Sequence, residues 1–267
     1  MSGTLSIVGI GPGDPGLIVP EATLAIEMAS DLVGYGPYLD RVASRPEQAR
    51  HSSENGAEMD RALLALRLAE EGREVALISS GDAGAFGMAT TVFEAMETGL
   101  PAWRGVTIRV VPGISAIFAV AARVGAPLGH DFCVLSLSDN LKPWSLVRRR
   151  LLAAAEGDFV IALYNPASRA RPWQLTAALN LLGTVLPATV PVVLATAVTQ
   201  ETEQVTLATL ESVDPTLADM RTLVLIGSRS TRWVHRPDGT AWVYTPRQGV
   251  ETESAAGDVA PGSDEVA

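Results

Sequence analysis

Residues 4–14 read TLSIVGIGPGD, and this stretch decides the architecture. A short, β-branched apolar run closed by glycines suits a strand buried on both faces, as in a parallel sheet. The glycines that follow let the backbone approach a ligand closely and present N–H groups toward the next helix. Outward from it the alternation repeats. PEATLAIEM (20–28) has apolar residues at helical spacing, with Pro20 near N1. DLVGYG (31–36) reads as a strand, AEMDRALLALRLAEE (57–71) as a helix with Gly72 at C′, and EVALISSGD (74–82) as a strand. GMATTVFEAMETG (87–99) reads as a helix, VTIRVVPG (106–113) as a strand, and ISAIFAVAARVG (114–125) as a helix that Ser115 is placed to cap. Strands alternating with helices predict an α/β unit with a parallel sheet.

A second set begins past GAPLGHD (125–131). DFCVLSLS (131–138), DFVIALYNP (158–166), VPVVLATAVT (190–199) and TLVLIGS (222–228) read as strands. SLVRRRLLAAAEG (145–157) and WQLTAALNLLG (173–183) read as helices, and residues 233–244 as a hairpin around Asp238-Gly239. The expected fold is therefore two α/β domains, 1–128 and 129–247, with a ligand cleft between them at the carboxyl ends of strands. The 267 residues suffice for two such cores.

Composition narrows the function. No apolar run approaches the length of a membrane span, and the N-terminal segment lacks a signal peptide's basic region. A lone cysteine, Cys133, gives neither an internal disulfide nor a cysteine metal cluster, so a cytoplasmic location and no metal site are expected. The net charge of −10 argues against nucleic acid as a partner. Half of it lies in residues 248–267, where five acids stand with no basic residue, leaving −5 for residues 1–247. That tail has no aromatic residue and is expected to be disordered.

The chemistry is expected at strand ends. GIGPGD (9–14) fails the dinucleotide fingerprint: the third glycine position is Asp14, Pro12 removes a donor, and Asp31 stands before the second strand instead of after it. No P-loop occurs. SSGDAGAFG (79–87), VVPGISA (110–116) and YNPASRARPW (164–173) are further polar or glycine-rich loops after strands. Asp82 is either a helix cap or a ligand contact, and Asp14 either a loop brace or an acid facing the cleft. Tyr35 and Tyr38 either pack or reach a substrate. Arg148, Arg149 and Arg150 splay around one helix and suit a solvated face.

GIGPGD, SSGDAGAFGMA, VVPGISA, LYNPASRAR and ATAVT, in this order, resemble the tetrapyrrole methylases of cobalamin biosynthesis over residues 4 to about 247. The resemblance implies S-adenosylmethionine (SAM) as methyl donor, leaving S-adenosylhomocysteine, in a cleft between the two domains of a homodimer. It implies a macrocyclic, carboxylate-rich tetrapyrrole (precorrin) substrate. Carried onto this chain, cofactor contacts fall on Pro12, Ser80, Gly81, Asp82, Ser115, Ala116, Tyr164, Ala197 and Val198. Arg41, Arg169 and Arg171, with Arg45 near them, are the cations expected to grip substrate carboxylates. Contraction of the macrocycle needs an acid or base, for which Asp14 and His130 are the candidates. Two other readings stay open: a family member methylating elsewhere on the ring, and a SAM-binding module without chemistry.

Overall fold

A computed structural model describes residues 2–168 and 171–248. Arg169 and nearly all of the acidic tail lie outside the described residues. In chain order the elements are β1 Thr4–Gly9, α1 Pro20–Met28, β2 Asp31–Tyr35, α2 Gly36–Leu39, β3 Ala49–Ser53, α3 Glu58–Glu70 and β4 Val75–Ser79. There follow α4 Met88–Thr98, β5 Thr107–Val111, α5 Ala116–Val124, β6 Gly125–Ala126, β7 Phe132–Ser136, α6 Trp144–Glu156 and β8 Val160–Tyr164. The chain continues through α7 Gln174–Leu182, β9 Pro191–Thr196, β10 Gln204–Thr209, β11 Thr222–Ile226, β12 Arg232–His235 and β13 Ala241–Tyr244.

The first sheet has the order β3-β2-β4-β1-β5, with every pair parallel. Helices α3 and α4 cover one face through Ala65, Leu66 and Val92, while α1 covers the other through Ala22 and Ile26. Local signals set these helices. Pro20 is the N1 residue of α1. Gly72, at φ +91°, ends α3 by donating to the Ala69 carbonyl (3.0 Å) while Arg73 N–H donates to Leu68 (3.2 Å), a Schellman ending. Asp31 opens β2 at the sheet's N-terminal edge and is 2% exposed. Burial opposes its ionisation, but hydrogen bonds with His51 and Ser30 and the charge of Arg73 outweigh it and hold the carboxyl below its usual range. Its place there rules out contact with a ligand at the opposite strand ends.

The second sheet departs from the expected parallel pattern. Its order is β10-β9-β11-β8-β7, and only β7 and β8 run parallel; β8–β11, β11–β9 and β9–β10 are antiparallel. The apolar strand sequences could not distinguish these cases, because a strand covered on both faces reads the same in either direction. β10 and β3 were not anticipated; their sequences QVTLAT and ARHSS are edge strands with only partial burial. One face of the second sheet packs on α6 and α7.

The other face is covered by α5. Ile117, Val120 and Val124 are buried against Ala162, Val193, Ala195 and Leu225. At about 1.5–3 kcal/mol per buried side chain, this helix is a major link between the two halves. It precedes the boundary expected at residue 128, yet packs on the second sheet. The hairpin β12–β13 forms around Gly239 (φ +82°), and β13 runs parallel to β6, so the segment expected to be a bare boundary is a sheet edge.

Cys133 lies partly buried in β7, and burial pushes its thiol up to about 11. Its alkylation by iodoacetamide at pH 8 should therefore be slow in the folded protein and fast in denaturant. Equal rates in the two states would contradict this packing.

Candidate active site

The neighbouring strands β4, β1 and β5 are parallel, so their C-terminal loops emerge side by side. Backbone meets backbone there. Gly11 and Gly81 exchange two hydrogen bonds, Gly11 N–H to the Gly81 carbonyl (3.1 Å) and the reverse (2.9 Å). A Cβ on Gly113 would stand 2.1 Å from the Gly81 oxygen and 2.7 Å from the Gly9 carbonyl carbon. Gly81 needs glycine for another reason: its φ is +64°, whereas an added Cβ would meet only Ser115 Cα at 3.9 Å.

Two charged side chains brace this contact. Asp82 accepts from Gly84 N–H (2.8 Å) through Oδ1 and from Gly113 N–H (3.0 Å) through Oδ2. It joins two loops and does not cap α4, whose Met88 N–H donates instead to Ser79 Oγ (3.3 Å). Arg41, expected to grip substrate, is turned inward. Its Nη2 donates to the carbonyls of Gly11 (2.9 Å) and Ile10 (3.3 Å), and Nη1 to Ser80 Oγ (3.2 Å). Burial lowers its pKa from the usual guanidinium value. A cation already bonded to two loop carbonyls is a brace for the loops, which corrects the expectation.

The second half of the chain closes on these loops from the end of β8 and from residues 197–200. Tyr164 Oη lies 2.6 Å from Ser115 Oγ and accepts from Ile117 N–H (3.2 Å). Ser115 occupies the N-cap of α5 without making the capping bond; the tyrosine of the other domain satisfies the helix end instead. Burial raises the Tyr164 pKa, so the phenol stays neutral in ordinary buffers. Asp14 N–H donates to Thr199 Oγ1 (3.0 Å) and Gln200 Nε2 to the Pro12 carbonyl (3.3 Å). Glu203 accepts from Thr199 N–H and pairs with Arg123 of α5 at 2.9 Å.

Backbone strain concentrates here. Among the described residues the non-glycine positions with positive φ are Phe86 (+55°), Asp158 (+54°), Asn165 (+53°), Ala197 (+50°) and Thr199 (+66°). All but Asp158 lie in the loops around this cleft. Each costs roughly 1–3 kcal/mol, and such residues persist where the surroundings over-determine them.

The structure brings together Pro12, Ser80, Gly81, Asp82, Ser115, Ala116 and Tyr164. Ala197 and Val198 are buried, 2% and 5% exposed, with Val198 in the core that α5 forms on the second sheet. Asp14 is exposed, and its Oδ1 accepts from Gly16 N–H (2.7 Å), capping the turn 15–17. Arg171 lies in the loop beyond β8, at the Tyr164 end, with its backbone doubly bonded to Ser168 (3.0 Å each). His130 lies before β7, hence at the opposite end of the parallel pair β7–β8 from Tyr164; its charged neighbour is Asp131 at 3.7 Å. That placement removes it as an acid–base group of this cleft. Arg45 pairs with Glu47 (3.2 Å) and is not directed to the cleft loops, and Tyr35 and Tyr38 pack edge to face at 5.1 Å. Thr199, Gln200 and Phe86 were not singled out by sequence, and Gly113 was read only as a turn residue beside Pro112. The quoted loops contain Gly113 and Phe86, but spacing does not reveal a contact between loops more than thirty residues apart.

Gly113→Ala should separate the loops and cost about 1–3 kcal/mol, lowering the melting temperature by several degrees. Gly105→Ala, where an added Cβ would meet nothing within 4 Å, should be nearly silent. Equal melting temperatures for the two variants would refute the close contact.

Comparison with known proteins agrees with this geometry. The model of the tetrapyrrole (corrin/porphyrin) methylases matches residues 4–214. A precorrin-3B C(17)-methyltransferase from a Sinorhizobium species is 51% identical over 247 residues, covering 92% of this chain and 97% of that protein. The cobalamin biosynthesis protein CobIJ of Mycobacterium bovis is 46% identical over 252 residues, 93% of this chain and 49% of its own length. The crystal structure of the methyltransferase CobJ matches with a TM-score of 0.87 at 46% identity, covering 92% of this chain and 100% of that one. With a family match across most of its length and a relative this similar end to end, the chain belongs to the tetrapyrrole (corrin/porphyrin) methylases.

Proposed function

We propose that this protein is a SAM-dependent C-methyltransferase that methylates precorrin-3B at C17 and contracts the ring to precorrin-4 in cobalamin biosynthesis. The observation that carries this reading is the 51% identity to a precorrin-3B C(17)-methyltransferase across 97% of that protein. The loops support it. Three strand ends are held backbone to backbone, so closely that a Cβ at Gly113 would collide with Gly81 and Gly9, and Asp82 and Tyr164 stand at their rim.

SAM, when bound, supplies an already activated methyl electrophile. The chain's own residues then bind and orient. Ser80, Gly81 and Asp82 lie along the cofactor's methionine and ribose parts, with Pro12 near it and Ser115 and Ala116 on its other side. Asp82 can serve because each carboxylate oxygen accepts more than one hydrogen bond. Tyr164 and the segment of Ala197 and Val198 frame the adenine. Fixed loops place the ring carbon and the methyl in line, which lowers the barrier by positioning. Asp14, at the loop end of β1, is the group assigned to the proton transfer of ring contraction; Arg171, in the loop beyond β8, is the cation assigned to substrate carboxylates.

A homodimer belongs to the same reading, supported by the exposed Phe118 and Phe132, whose rings meet edge to face at 6.4 Å on the molecular surface. A cytoplasmic location fits it as well; among the described residues no helix is long and apolar enough to cross a membrane.

The direct test is anaerobic incubation with SAM and precorrin-3B, with and without cobalt in the ring, followed by mass and ultraviolet–visible analysis. A product one methyl heavier with the spectrum of a contracted ring is expected; SAM binding without turnover of either ring would leave a binding module. Two variants locate the subsites. Gly81→Val should abolish S-adenosylhomocysteine binding by calorimetry in a folded protein, since valine resists φ +64°. Arg171→Ala should raise KM about tenfold, the worth of one charge-assisted contact, with cofactor affinity unchanged. Arg149→Ala on the exposed face of α6 is the control, and an equal effect there would indicate diffuse attraction.

A further inference from the structure

Phe86 contradicts two preferences at once. It is an aromatic residue at φ +55°, a region that bulky side chains avoid, and it is 57% exposed. Among the described residues no other aromatic has a positive φ. Its loop is held at both ends: Asp82 ties the start to Gly84 and Gly113, and Ser79 Oγ accepts from Met88 N–H at the end. Between these anchors the ring projects to the far side of the cleft and lies 5.4 Å from the ring of Tyr164, tilted by 49°. The strained backbone leaves the residue more than half exposed. Packing does not explain it, since a buried contact would hide the side chain.

We propose that Phe86 is a specificity-determining residue, an apolar platform against which the macrocycle lies while its carboxylate rim reaches toward the loop beyond β8. The inference rests on the function proposed above and assigns the substrate's ring body to this side chain. A rigid aromatic face already oriented before binding suits a large ring with an apolar body and charged edge. Tyr164 backs the platform from the second domain, so the platform draws on both halves of the chain. The cofactor needs nothing from the Phe86 ring in this assignment.

The test is binding of uroporphyrin, a stable carboxylate-rich macrocycle, followed by tryptophan quenching, beside calorimetry with S-adenosylhomocysteine. Phe86→Ala should raise the uroporphyrin Kd about tenfold or more and leave S-adenosylhomocysteine affinity within about twofold, while Phe86→Tyr retains both. Phe86→Gly separates function from packing: glycine relaxes the left-handed backbone, so its melting temperature should not fall while macrocycle binding is lost. The inference is overturned if wild type binds uroporphyrin and Phe86→Ala binds it equally well. It is also overturned if Phe86→Ala weakens both ligands alike, or if Phe86→Gly melts lower, which would mark a cofactor wall or a packing residue. Failure of the wild type to bind either uroporphyrin or precorrin-3B, with S-adenosylhomocysteine still bound, would instead sink the functional reading itself.

Discussion

The contact among Gly9, Gly81 and Gly113 is the constraint on which the rest of the site depends. Three parallel strands deliver their loops to one place, and only main chain fits between them. Once side chains are excluded, peptide groups must satisfy each other, and they do so through the paired bonds of Gly11 and Gly81. The remaining polarity is handled by two opposite charges. Arg41 collects carbonyls of the first loop and the hydroxyl of Ser80, and Asp82 collects N–H groups of the second and third. Neither charge is free, and together they fix the loops before any ligand arrives, which is what positioning catalysis requires.

The two halves of the molecule are joined by the same economy. Helix α5 leaves the first sheet's last loop and packs on the second sheet, while its exposed N-terminal donors are met by Tyr164 at the end of β8. Thr199 and Gln200 reach back to Asp14 and Pro12. The cleft is therefore spanned by hydrogen bonds from both sides, and the domains cannot reorient without breaking them. Where Arg123 pairs with Glu203, the exposed arginine makes the ion pair a weak part of this link; the buried face of α5 is the strong one.

Four of the five left-handed non-glycine residues among the described residues border this cleft. Strain of that kind lowers stability, and its concentration beside the loops is the expected mark of a site shaped for a ligand. Thr199 is held by Asp14 and Glu203, and Ala197 by core packing. Phe86 lacks comparable burial, which sets it apart.

Much of this protein was determined by sequence alone. The β/α alternation, the helix ends at Pro20 and Gly72, the hairpin at Asp238-Gly239 and the motif loops all follow from local dihedral preferences and hydrophobic period, which act within a few residues. The resemblance carried by five motifs identified the family. Tertiary structure decided what depends on distant partners: the antiparallel members of the second sheet, the docking of α5 across the presumed boundary, and the exclusion of His130 from the cleft. It also turned Arg41 from a substrate clamp into a brace and showed that Gly113 leaves no room for a side chain between the loops. An arginine reads the same whether its neighbours are solvent or the carbonyls of a loop thirty residues away, because its role is set by the groups that folding places around it.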